Sequence, residues 1–568
     1  NSMKKYFFSR KTLMDDIVAG LTLGIESVPD GMASGLLAAV NPIHGVYAYM
    51  VGTFTGAFFT NSVFMTVRAP SAMALIVASV PQVRQGENAL ESLVALTILT
   101  GLLMALMGVL NAGRFLRFVS NSVMTGFITG VGALTILGQL DDLTGYASSG
   151  SNRLLKTIDL AFNLNKVDLP TFFVGLATIL LIINLEKTRL KSLGMVAAIF
   201  VASLLPPLFN WDSIALVSDI AEIPDHLPWP ILPPLGVFTD LILPAFALAL
   251  VAVVQGAGIS QNYMNPDGEY PDPNKDFVGQ GIANIFTGFF QGIPVSGSFS
   301  ATAISVNSGA KTRFANITAG ITMAVVLRVF GNLISLLALP SLAALLMVVG
   351  FRIIKPNDVK LVWKIGPVQQ AVMVLTFGLT LIVPLQHAVF IGAAFSILMF
   401  VIRQSNQVSL KAWTRRPGEL PVEQDAPAQV GAGEALVLIP YGSLFFAATQ
   451  TFEDELPTVT DETRNSVVIL NLYQHDDLGS TFLGVLEDYA ADLRKHNSRL
   501  MLAEIDDHTL DKFERTGYLE TFGRENIFRS SARVFEAVME ARHQAVNWIA
   551  EQKKPTTPAE EDGLPIVL

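Results

Sequence analysis

The chain has 568 residues, of which 51% are hydrophobic and 15% charged, against roughly 25% charged in a soluble domain, so most of it faces lipid. It holds no cysteine, which excludes disulfides, thiolate metal sites and cysteine nucleophiles. A formal net charge of -10 argues against a nucleic-acid partner, which would call for a basic face.

Residues 1–15 are expected to form a cytoplasmic N-terminus: Asn1 and Ser2 read as additions ahead of a native Met3, and Lys4, Lys5, Arg10 and Lys11 lead into the first apolar run without a small-residue cleavage site. From 16 to 403 follow about fourteen apolar stretches of roughly 15 to 25 residues, the length that crosses a ~30 Å hydrocarbon core at 1.5 Å per residue. They are 16–36, 44–61, 65–83, 92–112, 116–140, 170–186, 192–208, 238–262, 276–292, 296–308, 314–336, 340–355, 366–384 and 386–403, the third and tenth being the weakest. Residues 150–168 and the proline-rich 223–234 read as non-spanning connections, with Trp229 as an interfacial anchor. Lys187, Arg189, Lys191, Arg352, Lys355, Lys360, Arg403, Lys411, Arg415 and Arg416 cluster in short connections or at the exit. With an even number of spans, the positive-inside rule then places both termini in the cytoplasm.

Residues 404–434 read as a polar linker, marked by Arg415, Arg416, Pro417, Gly418 and the segment 423–433. A soluble domain over 435–552 follows, with strands at 435–440, 444–447, 466–472 and 499–504 and helices at 450–456, 481–496, 510–516 and 531–552. Their alternation, with the apolar runs Val467–Leu470 and Leu500–Ala503, predicts a small α/β sandwich. The tail, 553–568, is expected to be disordered.

Several segments together resemble one family. Asp16-Ile17-Val18-Ala19-Gly20-Leu21-Thr22, with Val28-Pro29-Asp30-Gly31-Met32-Ala33, runs on into Asn41-Pro42-Ile43-His44-Gly45-Val46-Tyr47; Asn121 to Gly130, Gln280 to Ile285 and Gly297-Ser298-Phe299-Ser300 follow in order. This succession resembles the SulP anion transporters, also called solute carrier family 26, and residues 430–545 resemble the STAS domain that closes most members. The resemblance implies fourteen spans in two inverted seven-span repeats, with a core of spans 1–4 and 8–11 and a gate of the remainder. It also implies a homodimer in a bacterial inner membrane with the STAS domain cytoplasmic.

In such carriers the substrate lies near the midplane between short half-helices at matching repeat positions, which accounts for the weak third and tenth stretches. A half-helix N-terminus offers unpaired amides and about half a positive charge to an anion. The two candidate starts are Ala69-Pro70-Ser71-Ala72 and Ser296 to Thr302, whose small residues let an anion reach backbone nitrogen; small residues also serve close helix packing.

Against the family pattern, Ala301 stands where an arginine is common, Asp30 where glutamine is usual, and Gln255 where bacterial members often have glutamate. Four ionisable residues fall within predicted spans or at half-helix starts, namely Glu26, Asp30, Arg68 and Arg328, and each needs a partner or a function. Glu26 and Asp30, at i and i+4, share a helix face. One reading is that Arg68 replaces the missing cation while Asp30 or Glu26 takes a coupling proton or sodium ion. The other is a structural ion pair of Asp30 or Glu26 with Arg68 or Arg328. The substrate-binding candidates are Asp30, Ser34, Arg68, Ala69, Pro70, Ser71, Ala72, Gln255, Ser298, Ser300, Ala301 and Thr302.

His44 and His387 read as loop or interface residues, and Asp476 and Asp477 as part of a solvated face. Ser480 reads as a helix N-cap rather than a phosphoacceptor, because the Asp and Gly of the phosphorylated STAS pattern are absent around it. No cofactor is indicated, and an enzyme reading lacks a nucleophile–histidine pair, phosphate loop or metal spacing. The leading reading is a secondary transporter of sulfate or bicarbonate moving its core past its gate. Alternatives are a dicarboxylate transporter, or a non-transporting membrane sensor or scaffold acting through the STAS domain.

Overall fold

A computed structural model describes residues 11–85, 88–111, 120–190, 192–220, 227–414, 422–475 and 478–553. Expectations resting on Lys4, Lys5, Arg10, Lys191, residues 223–226, Arg415 to Gly418, Asp476, Asp477 and 554–568 lie outside the described residues. The chain divides into two units, Asn1–Ser396 and Ile397–Leu568.

The first unit is helical, with a helix in each of the fourteen apolar stretches. They are α1 (Leu13–Leu37), α2 (Pro42–Phe59), α3 (Ser71–Ala78), α4 (Ala89–Val109), α5 (Asn121–Leu137), α6 (Leu169–Leu185), α7 (Leu193–Ser203), α8 (Ile242–Asn262), α9 (Pro273–Phe289), α10 (Phe299–Asn307), α11 (Phe314–Ile334), α12 (Leu339–Ile353), α13 (Pro367–Ile382) and α14 (Leu385–Ser405). Six helices among the described residues are long and apolar enough to cross a membrane by length and composition. Several starts are set locally: Asn41, Asp168 and Asp272 accept a hydrogen bond from the first turn of α2, α6 and α9, each with proline at its first or second position.

The third and tenth stretches are interrupted. Strand β1 (Val67–Arg68) precedes α3, and strand β2 (Ser296–Gly297) precedes α10, so the second half-helix begins three residues later than its small-residue run suggests. With 8 and 9 residues, at ~1.5 Å per residue, neither helix can cross a bilayer alone. The strands pair antiparallel, Val67 opposite Gly297 and Arg68 opposite Ser296.

Two packing groups are visible. In one, α1 lies along α11, α4 along α9, and α2 against α1, α9 and α11. A Cβ added at Gly45 would lie 1.9 Å from the Gly31 carbonyl oxygen, and one at Gly101 2.5 Å from that of Gly281, so glycine is required where these helices touch. In the other group α5 packs on α12 and α13, and α6 on α7 and α12.

The second unit holds a six-stranded sheet in the order β4-β3-β5-β6-β7-β8. Its strands are β3 (Ser409–Thr414), β4 (Val422–Asp425), β5 (Ala435–Tyr441), β6 (Val467–Asn471), β7 (Arg499–Ile505) and β8 (Ile527–Arg529). The β5 to β8 run is parallel, while β3 is antiparallel to both neighbours. Helices α15 (Thr449–Glu455), α16 (Ser480–Lys495) and α17 (Asp507–Thr516) supply the core beneath Val468, Leu470 and Leu502, whereas α18 (Glu536–Gln552) covers Val467, Ile469 and Met501 on the opposite face.

This unit corrects four expectations. The stretch 404–434 is not only a linker: β3 alternates buried Leu410 and Ala412 with half-buried neighbours, a two-residue period that its lysine and threonine obscure. Residues 444–447 form no strand, because Gly442 at φ 95 ends β5 and Phe446–Ala448 turn as a 3-10 helix into α15. The last helix starts at Glu536, after Phe535 in the left-handed region at φ 66, and β8 precedes it. Ser480 is the first residue of α16 rather than its cap; Gly479 takes the cap position, with no side-chain cap bond.

Candidate functional site

Arg68, on the two-residue strand β1, is the centre of the site. Its burial among apolar helices demands full satisfaction of the guanidinium, and five polar groups provide it. Nη1 lies 3.2 Å from Glu26 Oε2 and 3.2 Å from Asp30 Oδ2, and 3.3 Å from Ser27 Oγ. Nε donates to Ser298 Oγ at 3.4 Å and Nη2 to Ser300 Oγ at 3.2 Å. The Tyr49 ring lies 5.1 Å from the guanidinium carbon, within cation–π range.

Asp30 is tied in a second way. Tyr49 Oη lies 3.2 Å from Asp30 Oδ2, 3.0 Å from the Ala69 carbonyl oxygen and 2.7 Å from Ser34 Oγ. Its single proton serves either acceptor, while Ser34 can donate in return. Glu26, Asp30, Ser34, Arg68, Ala69, Ser298 and Ser300 are thus brought together.

Other candidates stand one step away. Gln255 on α8 accepts from Ser296 Oγ at 3.4 Å and so bears on β2. Thr302 accepts from the Thr66 amide at 3.1 Å, a bond between the two crossing segments rather than one aimed into the site. Ala301 is buried, its amide donating to Ser298 Oγ at 3.4 Å, so Ser298 caps α10. By contrast α3 starts at Ser71 and Ala72 behind Pro70, with no side-chain cap bond. Arg328 is exposed on α11 and is not brought to Glu26 or Asp30.

Several contributors carried no isolated sequence signal. Tyr49 looks like one more aromatic in an apolar run. Asn284 brackets the approach to β2, donating to the Val295 carbonyl at 2.6 Å and accepting from its amide at 2.8 Å, and Gln280 accepts from the Gly297 amide at 2.8 Å. On the other strand, Asn316 donates to the Met65 carbonyl at 3.0 Å and accepts from Thr66 Oγ1 at 2.9 Å. The crossing is therefore positioned by amide side chains of α9 and α11, which hold otherwise orphaned backbone groups.

The buried charges of the cluster do not cancel. With both carboxylates ionised, the cluster of Glu26, Asp30 and Arg68 is negative by one unit. Asp30 is its more open member, its side chain 13% exposed against 4% for Glu26 and Arg68, so exchange with solvent reaches Asp30 first.

A helical membrane domain whose polar centre sits where two interrupted segments cross defines a class, the carriers with half-helices at the substrate site. Comparison with known proteins is more specific. The chain belongs to the sulfate permease family, whose model matches residues 13–376, and the STAS domain matches 426–534. It is 27% identical to "Probable sulfate transporter 4.2" of Arabidopsis thaliana, over 93% of this chain and 81% of that protein. It is 24% identical to "Putative sulfate transporter YvdB" of Bacillus subtilis (strain 168), over 92% of this chain and 97% of that one. Its fold is similar to that of the murine Slc26a9 anion transporter in the inward-facing state, with TM-score 0.80, 19% identity and coverage of 94% and 92%. The transmembrane domain of a cyanobacterium bicarbonate transporter, BicA, matches with TM-score 0.58, 20% identity and coverage of 69% of this chain and 99% of that one. The chain is thus a multi-pass membrane protein of an anion-transporter family with a C-terminal STAS domain.

Proposed function

We propose that this protein is a secondary-active carrier of sulfate or bicarbonate that binds its anion between the starts of α3 and α10 and moves the α1–α4 and α8–α11 group past the other helices. The observation that carries this reading is the burial of Arg68 between the two half-helix starts, where it reaches Ser298 and Ser300 from the first half of the chain. The naming of relatives as sulfate transporters, and of one structural neighbour as a bicarbonate transporter, supports the substrate class. On this reading the protein performs no covalent chemistry. It works as a homodimer in a bacterial inner membrane, with both termini and the STAS domain in the cytoplasm.

The negative balance of the cluster supports cation coupling. An incoming anion meets two carboxylates and one guanidinium, and a proton or sodium ion at Asp30 removes the excess charge, so the two ligands favour each other's binding. Uptake of labelled sulfate and bicarbonate into proteoliposomes, with and without sodium and a proton gradient, tests both claims. Wild-type protein should show saturable uptake that rises with one gradient, and Asp30→Asn should lose that dependence. Asp30→Asn uptake with an unchanged response to pH and sodium would refute the coupling, and no uptake of any anion, dicarboxylates included, would favour a sensor or scaffold.

A further inference from the structure

The cluster around Arg68 is short of positive charge, and a cation, Lys355, stands over the ring of Phe299 in the first turn of α10. Of the residues bonded to Arg68 the exposed one is Ser300, and its chain neighbour Phe299 is 40% exposed, so the cluster opens at the first turn of α10. Phe299 is held on one flank by α8: a Cβ added at Gly258 would lie 2.7 Å from the tip of its ring. Over that ring, 5.6 Å from its centroid, lies Lys355 Nζ. Lys355 is exposed and has no carboxylate partner among the described residues, whereas nearby Arg352 is paired with Glu186. An unpaired ammonium kept beside an aromatic face is a cation–π arrangement, which fixes the charge without neutralising it.

We propose that Lys355 is the specificity-determining cation of the anion site, supplying at its mouth the positive charge that Arg68 spends on Glu26 and Asp30. Arg68 then acts as the internal counter-ion of the two carboxylates, and the arriving anion is drawn by Lys355 towards the open start of α3. The two residues of the contact belong to different packing groups. Phe299 begins α10, which crosses β1 through β2, whereas Lys355 follows α12, which packs on α5 and α6. Movement of one group past the other parts Lys355 from Phe299, so the net charge at the mouth, and with it the affinity for an anion, differs between the two ends of the cycle.

This inference rests on the anion-carrier reading above, and one experiment separates their failures. Thermal stabilisation of the detergent-solubilised full chain is titrated with sulfate and with bicarbonate for wild type, Lys355→Gln, Lys355→Arg and, as a control lysine on the following helix, Lys360→Gln. Proteoliposome uptake is measured on the same preparations. At low ionic strength Lys355→Gln should raise the half-saturating sulfate concentration about tenfold, and the deficit should shrink as salt is added. Lys355→Arg and Lys360→Gln should stay within about twofold of wild type, since each keeps the charge at the mouth. An unchanged half-saturation in Lys355→Gln, or an equal loss in Lys360→Gln, overturns the role of Lys355. Lysine-dependent binding without uptake overturns the carrier reading alone, and no binding of either anion by wild type overturns both.

Discussion

Arg68 shows how much hangs on one residue where charges are buried. Removing a buried ion-pair partner typically costs about 3–5 kcal/mol, because the remaining charge has lost both water and its counter-ion. Here two carboxylates would be stranded. Arg68→Ala should lower the thermal midpoint of the solubilised protein sharply, and adding Glu26→Gln and Asp30→Asn should recover most of that loss without restoring uptake. A triple variant as unstable as Arg68→Ala would show that the guanidinium's bonds to Ser298 and Ser300, not its charge, hold the fold. At this scale the sequence was informative when a residue was out of place: Glu26, Asp30 and Arg68 stand out because ionised groups are rare in apolar spans. Tyr49 was not legible, since an aromatic in a hydrophobic run has the same local pattern whether it packs on lipid or bonds to Asp30. Asp16 was read as a span boundary, yet it is buried and accepts hydrogen bonds from the amides of Lys311 and Thr312, nearly 300 residues away, a partnership no local pattern encodes.

Among elements, the half-helices were the clearest reading, because a short apolar stretch with a small-residue start departs from the length a bilayer demands. The strands ahead of them were not, since two residues are too few to show a period. In the C-terminal unit β5, β6 and β7 were legible as apolar runs, while β3 and β4 were hidden in a polar stretch by outward-facing lysine and acidic residues. One junction there has a measurable consequence. Glu504, buried at φ 59 near the end of β7, faces the amides of Ala537 and Val538 in the first turn of α18. Burial, aided by the charge of Glu536, holds its pKa above the ordinary glutamate value in spite of those amides. The folded state therefore binds this proton more tightly than the unfolded chain, and the contribution of Glu504 to stability is greatest in acid and declines as pH rises above about 4.3. Hydrogen exchange of the α18 amides should accelerate with pH beyond its intrinsic dependence, and Glu504→Gln should flatten that extra slope; an equal slope in the variant would place the effect elsewhere.

For the molecule as a whole, the two packing groups are the feature on which the proposed carrier mechanism depends. The absence of cysteine makes this testable on a clean background. One cysteine on α1 and one on α12, which touch across the boundary, should give a disulfide that stops uptake until it is reduced, whereas a pair joining α5 to α13 inside one group should leave uptake intact. Free uptake with α1 and α12 locked together would exclude sliding of the groups. The order of the helices was legible from hydropathy alone, but their grouping was not, because what separates the groups is contact between helices far apart in sequence, such as α1 with α11.

The two-residue ladder between β1 and β2 also bears on how the chain is made. Val67 and Gly297 are direct neighbours, yet more than half of the first unit separates them along the chain. During synthesis the first seven apolar helices therefore enter the bilayer with Glu26, Ser27 and Asp30 at hand for Arg68 but without Ser298 and Ser300, and with β1 unpaired. The crossing of β1 and β2 around Arg68 is among the last features of the membrane domain to be assembled, and the early carboxylates act as a resident counter-charge that lets an arginine wait in the membrane until the second half of the protein arrives.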